Sequence, residues 1–222
     1  MLTLLNTVRG KYALIIIVCL YAKGVFATEI FTVAVASSLY TTLQQRTLEF
    51  NKKHHAQIKI VFGSTGRLYN QIQHGAPFDV FIAADKEHPE LLIKQHKASM
   101  KRVIGYGYLG LFIDHQQSQD IQRLVQTNIR RIVIANPNVA PFGRQSKKLL
   151  LKKTLWEALK PKLIYAQNAM QARMMVDQGL VDAGFVPVRK NSPYFARIPY
   201  VAVLLSDHLL GKRYLQFLNK HD

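Results

Sequence analysis

Short apolar runs alternate with amphipathic segments along almost the whole chain, and this alternation restricts the fold more than any other feature. Ile30 to Ala36 ("IFTVAVA"), Ile58 to Phe62, Asp79 to Ala84, Val103 to Ile113, Arg131 to Ala135, Leu163 to Ala166, Ala183 to Val188 and Tyr200 to Leu205 are rich in β-branched and apolar residues and read as buried strands. Between them, Leu39, Leu43, Leu48 and Phe50 lie near helical spacing. Helices are also expected over Gly66 to Gly75, Pro89 to His96, Ile121 to Gln126, Phe142 to Lys153, Ala169 to Gln178 and Leu209 to Leu218. Strands that alternate with helices imply an α/β fold whose mostly parallel sheet carries helices on both faces. No internal repeat, low-complexity tract or linker interrupts the pattern. At 222 residues, half of them apolar, the chain can build one large domain or two small lobes. If there are two lobes, ordered strands must join them, near Gly105–Gly110 and again near Phe185–Lys190.

The first 27 residues stand apart from this pattern. Arg9 and Lys11 form a positive region, and "YALIIIVCLYA" (Tyr12 to Ala22) is an apolar run too short to span a bilayer comfortably. Lys23 interrupts the run early, which argues against a membrane anchor. Val25 and Ala27 place small residues where a signal peptidase reads them, so an export signal cleaved after Ala27 is expected. The single cysteine, Cys19, lies inside the signal and follows Val18, which is not the context of a lipid-anchored cysteine. The mature protein then has no cysteine, which excludes thiolate chemistry, disulfides and a thioether-linked cofactor.

The chain carries a net charge of +17; the signal removes three basic residues and no acidic ones, leaving +14. The basic residues are scattered as pairs, Lys52-Lys53, Lys101-Arg102, Arg130-Arg131, Lys147-Lys148 and Lys152-Lys153, with no aromatic-interleaved basic stripe. Nucleic acid is therefore not expected as a partner. In an exported protein the positive charge attracts anions.

Four of the expected helices begin just after a polar or glycine-marked turn, at Ser38, Thr65-Gly66, Phe142-Gly143 and Ala169. A helix start presents unpaired N–H groups and a partial positive charge. Four such starts converging beyond the carboxyl ends of parallel strands would make an anion site without lysine or arginine. Ser38, placed where a helix N-cap belongs, and Thr65 would add hydroxyl donors. Ser37, Ser64, Arg67 and Arg144 flank these turns as residues of a cleft rim, with both arginines placed to steer anions inward.

In order, these turns resemble a known family, the molybdate-binding proteins of ABC importers, which are small type II periplasmic solute-binding proteins. The resemblance is carried by "VAVASSL" (Val33 to Leu39), "GSTGRLYNQIQHGAPFDVFIAAD" (Gly63 to Asp85), "IANPNVAPFG" (Ile134 to Gly143) and "AQNAMQARMMVDQGLVDAGFV" (Ala166 to Val186). It implies two mixed-sheet α/β lobes with a ligand cleft between them, residues 28–108 with 188–222 in one lobe and 109–187 in the other. It further implies that the hydroxyls and N–H groups of Ser38 and Thr65, with the N–H groups of Phe142 and Ala169, hold molybdate or tungstate. The expected protein is a periplasmic monomer that uses no cofactor and passes its ligand to an ABC importer permease and ATPase. The tyrosine that some members carry after the "GFV" strand is replaced here by Pro187, and Phe142 stands where tyrosine is frequent.

Chemistry gives the ligand a separate basis. Molybdate and tungstate are fully deprotonated tetrahedral dianions near neutral pH and can only accept hydrogen bonds. A site built only of N–H and O–H donors selects such an ion and rejects an oxyanion that still carries a proton. The alternatives are the same fold with another oxyanion, such as sulfate or phosphate, or a binding module with no role in transport. An enzyme is not expected. Ser38 lacks a G-x-S-x-G setting, and the missing cysteine rules out a porphobilinogen deaminase on the same two-lobed fold. His54-His55 reads as a solvated turn, Asp79 as closing a turn and Asp85 as capping the helix that follows.

Overall fold

The computed structural model describes residues 31–219, so the expected signal segment and its cleavage site lie outside the described residues. Among the described residues, nine strands and seven α-helices follow one another in partial alternation. The strands are β1 (Phe31–Ala36), β2 (Ile58–Gly63), β3 (Val80–Ala83), β4 (Ser99–Ile113), β5 (Gln116–Ser118), β6 (Ile132–Ala135), β7 (Leu163–Ala166), β8 (Ala183–Val188) and β9 (Ala196–Leu204). The helices are α1 (Tyr40–His54), α2 (Thr65–Gln73), α3 (Glu87–Lys94), α4 (Pro141–Lys152), α5 (Trp156–Leu159), α6 (Ala169–Asp177) and α7 (Leu209–Asn219).

The strands form one mixed sheet in the order β2-β1-β3-β9-β4-β8-β6-β7, with β5 paired on β4. Two parallel groups sit at its flanks. β1 pairs with β2 and β3 on one side, and β6 pairs with β7 and β8 on the other. The long antiparallel strands β4 and β9 join them. β4 pairs with β9 from Ser99 to Leu109 and with β8 from Tyr108 to Ile113, so it passes from one flank to the other at Tyr108–Leu109. A register shift between Val103 and Gly105, with Gly105 at φ 143°, bends β4 before that handover.

The strands bury because they are apolar on both faces. Val33, Val35, Val80, Ile82, Ile132 and Ile134 pack in one cluster, while Ala34, Phe81, Ala83 and Val203 face the helices α2 and α3. Helix α1 departs from its expected face. Leu48 is 58% exposed, and Thr47 is buried in its place, its hydroxyl 2.6 Å from that of Tyr214 on α7. The 43–47–50 spacing is the helical one, and Leu48 falls off it. Asp79 does not close a turn as expected; instead its carboxylate ties distant segments together, accepting from Thr32 N–H on β1 at 2.8 Å and from the Ser206 hydroxyl just after β9 at 2.7 Å.

Candidate functional site

The carboxyl ends of the parallel strands place the candidate residues. β1 and β2 run in register through Ala36 and Gly63, so the turns that follow, Ser37-Ser38 and Ser64-Thr65, lie side by side. β6 and β7 end in register at Ala135 and Ala166, just before the starts of α4 and α6. At α4, Pro141 occupies the first turn and Gly143 allows it to close, because a Cβ on Gly143 would overlap the Ala135 carbonyl oxygen. At α6, the Asn168 side chain caps the helix by accepting from Gln171 N–H at 3.0 Å.

These two sets of turns meet around one small cavity. Ala36, Ser37, Ser38, Gly63, Ser64, Thr65 and Ala84 line it from one flank, and Ala140, Pro141, Phe142 and Ala169 from the other. It is open to the centre of a water-sized sphere over about 10 Å³, roughly the room of one water, which leaves no space for an extended organic ligand. None of these lining residues carries a charge. Thr65 is fully buried, and its hydroxyl oxygen accepts from Ala84 N–H at 3.0 Å, which leaves its own proton to donate. The hydroxyl oxygens of Ser38 and Ser64 are buried without a hydrogen-bond partner. Ser37 accepts from Met170 N–H at the long distance of 3.5 Å. Thr65 and Ala169 are the first residues of α2 and α6, and Phe142 is the second of α4, positions whose N–H groups have no partner within the helix.

The same turns bridge the flanks directly. β3 and β6 stand four strands apart, roughly 19 Å on a flat sheet. Nevertheless, Gly66 N–H donates to the Val139 carbonyl at 2.9 Å, and Arg144 Nη2 lies 2.5 Å from Asp85 Oδ2. Arg67 reaches Gln167 at 3.3 Å. The sheet therefore curls so that its carboxyl ends face one another and close on the cavity. Asp85 also accepts from His88 N–H at 3.1 Å, as a helix cap does, and its second oxygen lies 2.9 Å from His88 Nδ1.

Three expectations change. Ser38 is not the N-cap of α1. It lies inside the 3₁₀ turn Ser37–Leu39, the cap position falls at Leu39, and the Ser38 hydroxyl bonds no backbone N–H. That frees it for the cavity. Arg144 is not a free cation at a rim, because Asp85 from the opposite flank pairs with it, whereas Arg67 is exposed and bonded only to the neutral Gln167. Ser64 lies in the cavity wall itself rather than at a rim.

Sequence reasoning brought Ser38, Thr65, Phe142 and Ala169 to one place but missed the Asp85–Arg144 pair and Tyr200. Tyr200, on β9, is buried, and burial pushes its phenol up to about 12. The only signal for the pair was that Asp85 and Arg144 each follow a turn of the site. No cluster of potential metal ligands occurs among the described residues.

Comparison with known proteins places the chain among solute-binding proteins. Residues 31–217 match a family model described as bacterial extracellular solute-binding protein. The chain is 35% identical over 158 residues to the molybdate-binding protein ModA of Azotobacter vinelandii, covering 69% of this chain but only 63% of that protein. It is 27% identical over 184 residues to ModA of Rhodobacter capsulatus, covering 82% of this chain and 73% of that one. The solved structure of the Azotobacter vinelandii periplasmic molybdate-binding protein superposes with a TM-score of 0.75 at 27% identity, over 85% of this chain and 90% of that one.

Proposed function

The chain belongs to the bacterial extracellular solute-binding protein family, and from that premise we propose that it captures molybdate or tungstate in the cavity between its two flanks. The observation that carries this reading is the donor-only wall. Ser38, Ser64 and Thr65 offer hydroxyls and the starts of α2, α4 and α6 offer N–H groups, while no lining residue offers a carboxylate. A dianion with no proton to give away satisfies every group in such a wall. Each charge-assisted bond contributes on the order of 1.5–3 kcal/mol, so several bind tightly. Donors fixed on helix ends cannot all move inward, and a smaller tetrahedral ion such as sulfate leaves some of them unmet. The relatives named for molybdate support the same ligand.

In this reading the ligand is delivered to an ABC importer permease and ATPase, and the protein works as a periplasmic monomer after cleavage following Ala27. The lobes divide near residues 108–109 and 187–188, a division supported by the handover of β4 between β9 and β8. Binding to the native state alone raises the melting temperature once ligand exceeds its Kd. Molybdate and tungstate should therefore raise it well above the shift given by equal concentrations of sulfate or phosphate. Equal shifts from all four ions would overturn the ligand assignment.

A further inference from the structure

We propose that a groove on the outer face of α4 docks an acidic segment of a partner protein. Arg144, Lys147, Lys148 and Leu151 line it at helical spacing, as one stripe of α4, and Pro137 and Asn138 of the preceding turn complete it. The groove shares no lining residue with the small cavity and is open to the centre of a water-sized sphere over about 370 Å³, room for several side chains rather than one small ion. Its lining holds three cations and no carboxylate. Arg144 meets carboxylates across the flanks, Asp85 at 2.5 Å and Glu87 at 4.0 Å. Lys147 lies over the Trp156 ring, Lys148 is exposed, and among the described residues no carboxylate pairs with either lysine. Leu151, 53% exposed, ends the stripe with an uncovered apolar side chain.

Charge and spacing choose the occupant. A second copy of this chain, at a net charge of +17, would bring like charge to the groove. The three cations extend over four residues of helix, about 6 Å along its axis, so carboxylates spaced along a chain match them better than one phosphate does. A single exposed leucine gives a lipid surface little apolar area to hold. Asn138, also exposed, has an amide that both donates and accepts, which suits a polypeptide backbone running past it. A segment with several carboxylates and one apolar side chain meets the cations, Leu151 and Asn138 together. Asp85 competes with such a segment for the Arg144 guanidinium, so the two lysines supply most of the attraction.

The test is fluorescence anisotropy of the purified mature protein with a short labelled peptide of glutamates around a central leucine, and with its counterpart carrying lysines in place of the glutamates. Co-sedimentation with phosphatidylglycerol vesicles runs beside it. The acidic peptide should bind, and less tightly as salt rises. Lys148→Glu should weaken that binding roughly tenfold or more, and Leu151→Asp roughly three- to tenfold. Both positions are exposed, so both variants should melt as the wild type does. Asp85→Asn, which releases Arg144 to the groove, should strengthen binding roughly two- to fivefold. No binding of the acidic peptide, equal binding of its lysine counterpart, or equal binding to Lys148→Glu would overturn the proposal. So would vesicle binding that Lys148→Glu abolishes while the peptide stays free, since the groove would then face a lipid surface.

Discussion

The two walls of the cavity are built from the same element, a turn that leads from a strand into a helix, yet they offer different chemistry. The wall after β1 and β2 carries four hydroxyl residues, Ser37, Ser38, Ser64 and Thr65. The wall after β6 and β7 carries Ala140, Pro141, Phe142 and Ala169, none of which has a side-chain donor. The first wall can hold an anion through side chains and backbone together. The second can contribute only N–H groups. Side-chain substitutions should therefore be felt on the first wall, whereas on the second only a change that removes an N–H should register.

The largest effect is expected at Thr65, where the hydroxyl both faces the cavity and satisfies Ala84 N–H. Thr65→Ala should weaken molybdate binding by roughly ten- to a hundredfold and also destabilise the ligand-free protein by about 1–3 kcal/mol, since it leaves a buried N–H unpaired. Thr65→Ser should restore both. Calorimetry and urea unfolding read the two effects separately.

Next come Ser38→Ala on the first wall and Ala169→Pro on the second. Each removes one donor, and each should weaken binding by roughly ten- to a hundredfold with little change in stability. Proline suits the first position of a helix, and Asn168, at φ −157° and ψ 172°, is already extended as a residue before proline must be. Ala169→Ser keeps the N–H and should bind as wild type does. A serine that disturbs binding as much as proline would erase the difference between the walls.

The pair that ties the walls together should matter less. Arg144 and Asp85 are 33% and 16% exposed, and a partly solvated ion pair contributes about 0.2–1 kcal/mol. Arg144→Ala should raise the molybdate off-rate roughly two- to fivefold in stopped-flow experiments. A change confined to the on-rate and to its salt dependence would return Arg144 to the steering role expected from sequence.

Near neutral pH the titration of the two buried phenols should leave stability unchanged. Tyr200 and Tyr214 are both raised by burial from 10 to about 12. Their folded state holds the proton more tightly than the unfolded one. The stabilisation they give is therefore complete below pH 10 and is lost as pH rises from 10 through 12, at about 1.4 kcal/mol per pH unit for each tyrosine. Unfolding followed against pH should be flat in this term up to pH 10, and Tyr200→Phe should shallow the alkaline fall.

Local signals made much of this architecture legible. β7 and β8 fall at their expected limits, and α6 starts at Ala169 as its turn implied. The elements that escaped lacked a local signature. The first residues of β4, Ser99–Arg102, are mostly polar and contain a register shift, and β9 begins four residues earlier than expected, with Pro199 inside it. α5, only four residues long, is too short to show a period. Within the site, the turns could be read because glycine, serine and proline mark helix starts. The contacts between Asp85 and Arg144, and between Gly66 and Val139, could not. They depend on a sheet curled by its central antiparallel strands, which no window of sequence records.

The donor-only wall itself is tested most directly by titrating the purified mature protein with molybdate and sulfate under identical conditions in a calorimeter. Fixed N–H and O–H donors that match the larger dianion would give one tight site for molybdate and far weaker binding of sulfate. Sulfate binding as tight as molybdate, or no binding of either, would contradict it.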